Sequence, residues 1–143
     1  MNETEAMLWK DVRGRCLDPN ARAYDLTALS DALGRLIAKV GDDELPDRIA
    51  TLIGNGIFTL TEGSLLIDVA SYSTDDEGSR ILSVLEQWLE AGANEARIAL
   101  ALSPGTIPFR SRARRVAVLT AIAQQFPQFA NRCQHLIEAS RDA

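Results

Sequence analysis

Apolar positions recur along this chain at helical spacing, and the interruptions between them fall at regular intervals. Leu26, Leu29, Leu33, Leu36, Ile37 and Val40 follow one another at steps of one, three and four, which predicts an amphipathic helix over Thr27 to Val40, ended by Gly41. Before it, Ala6, Leu8, Trp9, Val12 and Cys16 predict a helix from Thr4 to about Cys16, and Asp18-Pro19-Asn20 predicts a loop over residues 17–25. Gly34 costs its helix about 1 kcal/mol relative to alanine. It is therefore expected to mark the close approach of a neighbouring helix.

After Gly41, Pro46 sits in a first helical turn, where its missing N–H costs nothing, and Ile49, Leu52 and Ile53 form the apolar face of a short helix that Gly54-Asn55-Gly56 ends. Ile57-Phe58-Thr59-Leu60 has strand propensity but no partner strand, so it reads as a packed connector. A helix over Thr61 to Ser73 is expected to bury some of Leu65, Leu66, Val69 and Tyr72. The next, Asp76 to Ala91, carries Ile81, Leu82, Val84, Leu85, Trp88 and Leu89 and is expected to form the centre of the core. Asn94 is placed to cap a helix over Glu95 to Leu102, followed by a rigid loop over Pro104 to Pro108. Val116, Leu119, Ile122, Ala123 and Phe126 predict a helix within Phe109 to Phe126. A last helix starts at Pro127, with Phe129, Cys133, Leu136 and Ile137 inward. The fold class expected is all-α, with seven or eight helices in a compact, irregular stack of hairpins around Leu33, Leu52, Leu66, Leu85, Trp88, Leu119 and Phe126.

One local pattern occurs twice. Asp42-Asp43-Glu44 with Arg48-Ile49 returns about 33 positions later as Asp75-Asp76-Glu77 with Arg80-Ile81, each triplet standing between two helical segments. Helix starts near Thr27, Thr61, Asn94 and Pro127 keep the same interval. The repeat divides a single domain, 1–143, into units 26–59, 60–93 and 94–126 and a terminal helix 127–141.

Asp43 to Gly54, with its Asp/Pro turn, Arg-hydrophobic-Ala run and closing Leu-x-Gly, resembles the second helix of HEAT-like repeats. The second unit departs from it: it lacks the proline and has Leu82 after Ile81, and the third has Arg110 to Arg115 but no acidic turn. In that family the turn Asp and the following Arg stabilise neighbouring repeats. The resemblance carries this structural role only to Asp43 or Asp47, Arg48, Asp76 and Arg80.

Composition adds limits. The chain has 143 residues, 46% of them hydrophobic and 24% charged, enough for a core without disulfide or metal, and no apolar run approaches the ~20 residues of a membrane span. The acidic start Met1-Asn2-Glu3-Thr4-Glu5 lacks the basic and apolar segments of a secretory signal, which predicts a cytoplasmic location. Cys16 and Cys133 have no ligand-like spacing and read as reduced, buried small hydrophobes. The only histidine, His135, has no nucleophile or carboxylate arranged with it as a relay. Neither triplet has the alternating spacing of a calcium loop, and no phosphate loop follows Gly54-Asn55-Gly56. No enzyme activity and no cofactor are therefore expected.

Charge is distributed unevenly. Residues 1–105 hold eighteen acids against nine bases, net −9, and residues 106–143 hold two against six, net +4. Asp42, Asp43, Glu44, Asp75, Asp76 and Glu77 are the candidate partner-binding residues, suited to a basic protein. At about 100° per residue, Arg112 and Arg115 fall on the side of Leu119, and Arg110 and Arg114 on that of Ala117. A guanidinium on a core face needs a partner, so internal pairing competes with nucleic-acid binding at Arg110, Arg112, Arg114 and Arg115. The net charge of −5 and pI near 4.9 argue against nucleic acid. In size, charge and layout the chain resembles small bacterial immunity proteins, which neutralise a cognate toxin by covering its active or substrate-binding surface. That resemblance implies a basic toxin domain as partner; the alternative is a nucleic-acid-associated regulator using residues 110–115.

Overall fold

The computed structural model describes residues 2–16, 26–105 and 107–139. Among the described residues all regular structure is helical: α1 Glu3–Cys16, α2 Leu26–Val40, α3 Leu45–Gly54, α4 Leu60–Ser71, α5 Ser79–Ala91, α6 Glu95–Leu102, α7 Arg112–Gln125, a 3₁₀ turn Pro127–Phe129 and α8 Ala130–Glu138. The protein is all-α. The loop expected over 17–25, Thr106 in the proline-bounded loop, and positions 140–141 of the last expected helix lie outside the described residues.

Two compact units divide the chain, Met1–Ile81 and Leu82–Ala143. In the first, α1 packs on α2, and α4 packs on both α2 and α3. Val12, Leu29, Leu33, Leu36, Leu45, Ile49, Leu66 and Ile67 lose nearly all exposure to water there. Of the expected 57–60 connector only Phe58 is packed, its ring buried with its centroid 6.0 Å from that of Trp9; Ile57 and Leu60 are exposed, and Leu60 already opens α4.

The close helix approach is at Gly63, not at Gly34. A Cβ at Gly63 would stand 2.6 Å from Ile53 Cδ1 and 3.1 Å from Ile49 Cγ2, whereas one at Gly34 would meet nothing within 4 Å. Gly63 thus lets α4 lie against α3. The α4 start is fixed by a capping box: Glu62 N–H donates to Thr59 Oγ1 at 3.1 Å, and Thr59 N–H donates to Glu62 Oε1 at 2.8 Å.

In the second unit α7 packs on α8, and Leu85, Leu89, Ile98, Leu100, Leu119, Ile122, Cys133 and Leu136 are buried. Trp88 and Phe126 are only half-buried, against expectation. Trp88 instead offers its ring to the Arg97 guanidinium, 5.2 Å from the centroid, an arrangement that keeps the cation in water and the ring partly covered. The Asn94 side chain caps α6 by accepting from Arg97 N–H at 3.0 Å. Arg132 closes the other end of α6, donating from Nε to Leu102 O at 2.7 Å and from Nη2 to Pro104 O at 3.1 Å.

Candidate functional site

The first acidic triplet follows Gly41, whose φ of +91° ends α2. The Asp43 carboxylate folds over this glycine: a Cβ on Gly41 would stand 2.8 Å from Asp43 Oδ1. Glu44 precedes α3 without a side-chain cap, and Pro46 occupies the first helical turn. Asp43 and Glu44 are exposed. Asp42 is turned inward, its side chain 13% accessible.

The second triplet does not open its helix directly, because α5 begins at Ser79. Glu77 and Gly78 take φ of +57° and +82°, a left-handed pair that ends the turn just before the helix. A Cβ on Gly78 would lie 2.7 Å from Ser71 Cβ and 3.1 Å from Ser71 Cα, so the turn sits down on the last residue of α4. Asp76 accepts from Gly78 N–H at 3.2 Å and from Arg80 N–H at 3.1 Å, satisfying donors that a helix start leaves open. Partial desolvation pushes the Asp76 carboxyl upward, but the Thr74 hydroxyl, the Arg80 N–H and charge, and the Gly78 N–H together outweigh it. Its pKa therefore lies below the ordinary aspartate value.

Arg80 brings the two triplets together. Its Nη1 is 3.5 Å from Asp42 Oδ2 and its Nε 3.9 Å from Asp76 Oδ2, although its side chain is 68% exposed. Arg80 thus reaches across 38 positions to Asp42. Asp43, Glu44, Asp75 and Glu77 remain exposed around this clamp, giving one edge with six carboxylates and a single bridging cation. Arg48, the counterpart of Arg80, also reaches back along the chain. Its Nε lies 3.1 Å from Oε1 of the buried Glu5, without hydrogen-bond alignment, and that oxygen also accepts from Trp9 Nε1 at 3.4 Å. Both arginines after an acidic turn therefore hold an earlier segment of the chain.

The arginine cluster is differently disposed from its expected helical pattern. Phe109 takes φ of +59°, and α7 begins only at Arg112, with Ser111 Oγ accepting from Arg114 N–H at 3.3 Å. Arg110 is therefore off the helix. Arg115 is fully buried and donates from Nη1 to Phe109 O at 2.9 Å, while its Nε has no partner. It is held by a carbonyl, where the sequence suggested a carboxylate. The buried Phe109 is fixed from its other side by the Glu86 carboxylate, which accepts its N–H. Arg114 pairs with Glu90 and lies 5.5 Å from the Phe109 ring centroid. Arg112, expected on the core side, is exposed and donates to Ile137 O at 3.2 Å. Three of the four arginines thus serve the fold of their own unit.

Among the described residues no group of three or more His, Cys, Asp or Glu is placed to hold a metal ion. Both cysteines are free thiols; burial pushes their pKa values up, which keeps them protonated and poorly nucleophilic at neutral pH. Among the described residues no helix is long and apolar enough to cross a membrane.

α4 buries some of its four apolar candidates, as expected, and the remainder form a further surface feature. Leu65 and Tyr72 were candidates for burial, yet they are 37% and 90% exposed, while Leu66 and Val69 are buried. Leu65, Asp68 and the C-cap residue Tyr72 stand at i, i+3 and i+7, beside the α4 stripe that carries the buried Leu66 and Val69. The carboxylate at 68 was the signal that this stripe meets water. Set against known proteins, the chain matches no family model, no curated protein and no solved structure. Fold and surface define it as an all-α protein with a carboxylate-rich edge.

Proposed function

We propose that this chain is a protein-binding module that captures a basic protein on the edge formed by Asp42, Asp43, Glu44, Asp75, Asp76 and Glu77. The supporting observation is the Arg80 clamp, with Asp42 and Asp76 at 3.5 and 3.9 Å from one guanidinium. Asp42 and Asp76, both held by this guanidinium, lie within about a Debye length (~8–10 Å) of each other, so the two turns present their charge together and steer a cation-rich partner. The particular role proposed is neutralisation of a toxin by covering its active or substrate-binding surface.

The test uses the protein encoded beside this gene as the ligand. Replacing Asp43, Glu44, Asp75 and Glu77 with their amides leaves the Arg80 clamp in place and removes four exposed charges. Association at low salt should slow by roughly tenfold or more, with dissociation little changed and the salt dependence flattened. An unaltered association rate in a folded variant would refute the acidic edge. Unprotected growth of cells co-expressing the two proteins would refute toxin neutralisation separately.

A further inference from the structure

On the outer side of the α2–α4 pair, Leu26, Leu65, Val69 and Tyr72, with Thr27, Ser30 and the carboxylate of Asp68, line a groove of about 360 Å³. Its rim is unusually apolar for a water-facing surface: Leu26 is 38% and Leu65 37% exposed, and Tyr72 stands 90% in solvent. A tyrosine this exposed gains almost nothing from folding, but it can supply large contact area at low entropic cost when a partner covers it. The groove is held in shape at one end, where Ser30 Oγ of α2 and Ser73 Oγ of the turn after α4 share a hydrogen bond of 2.7 Å.

The groove also adjoins the acidic edge. Asp75 is three residues past Tyr72, and at 3.8 Å per residue their Cα atoms are no more than ~11 Å apart. Beyond Ser30 and Ser73 the surface continues as a shallow polar depression that includes Asp31 and Arg35, the latter paired with Asp11 at 2.8 Å. This juxtaposition selects among occupants. A second copy of a chain with net charge −5 would set like charge against like at this face, and an anionic membrane surface would be repelled by the same carboxylates. We propose that the groove is the anchor socket for a basic segment of the partner that carries one bulky apolar side chain, with lysines or arginines flanking it. This rests on the acidic-edge reading and assigns the two parts different work: the carboxylates set the rate of encounter, and the socket sets the lifetime of the complex.

The experiment uses two synthetic nine-residue peptides of alternating lysine and glycine, one with a central tryptophan and one with glycine in its place, titrated into the isotope-labelled full chain and followed by NMR. Both peptides should shift the amides of Asp43, Glu44, Asp75 and Glu77. Only the tryptophan peptide should shift Leu26, Leu65 and Tyr72, and it should bind about tenfold or more tightly. Tyr72→Ala, at a solvent-exposed position, should abolish that difference and leave binding of the glycine peptide unchanged; Leu65→Asn provides a second variant. Equal binding of the two peptides with shifts confined to the acidic turns would overturn the socket and leave the edge standing. Shifts in the groove without shifts in the turns, or no shifts at all, would overturn the socket as argued and the edge with it. Concentration-dependent dimerisation lost in Tyr72→Ala would give the groove to a second copy and overturn the proposal.

Discussion

Gly78→Ala tests how the second acidic turn is seated, and the molecule supplies its own control. Gly78 and Gly56 have nearly the same backbone conformation, φ +82° and +77°, so alanine at either carries a similar left-handed penalty of about 1–2 kcal/mol. Their surroundings differ. A Cβ at Gly56 meets nothing within 4 Å, whereas one at Gly78 stands 2.7 Å from Ser71 Cβ and 3.1 Å from Ser71 Cα. Because the last atom is backbone of α4, a rotamer change cannot relieve the overlap, and forced overpacking costs about 1–3 kcal/mol more. Gly56→Ala should therefore lose about 1–2 kcal/mol and Gly78→Ala about 2–5 kcal/mol. Both glycines belong to the first unit, so the two variants are read from its urea transition, as midpoint shifts at unchanged slope. Losses equal within about 0.5 kcal/mol would refute the reasoning, because the turn would then be free to lift off α4. Gly78→Ala keeps every charge, so slower capture of a basic partner by this variant would trace to the position of the turn.

Leu119→Ala should cost about 2–5 kcal/mol because it empties a fully buried site, while Trp88→Ala, half-buried against Arg97, should cost less than Leu119→Ala; chemical denaturation of the two variants checks the order. Asp76 has a folded pKa below its ordinary value, so the native state binds fewer protons there than the unfolded chain does. Its contribution to stability is complete above the ordinary value of 3.8 and is lost as pH falls through the lower folded value. Asp76→Asn should accordingly flatten the acid limb of the stability curve below pH 3.8, and an unchanged limb would remove Asp76 from the turn's stabilising groups.

Local chemistry along the chain determined where most helices lie, because caps, breakers and apolar periodicity act within four or five residues. Gly41 ends α2 at φ +91°, Gly92 ends α5 at φ +60°, and Asn94 caps α6, each where its residue type predicts. The acidic triplets were legible as turns for the same reason. What tertiary structure alone decided is how positions far apart in sequence meet. Gly34 and Gly63 are both helical glycines, and only the path of α3 makes the second one the close approach. The start of α5 moved from Asp76 to Ser79 because the turn seats on Ser71 of α4. Arg80 could join Asp42 to Asp76 only once a separation of 38 residues had been folded away. Helical spacing put Arg115 on the Leu119 side, where it is buried, but no helical wheel contains the left-handed turn at Phe109 that presents a carbonyl to it. Tyr72 faces water because α4 has more apolar positions than its packed face can cover, and which stripe is left outside depends on where α2 and α3 lie.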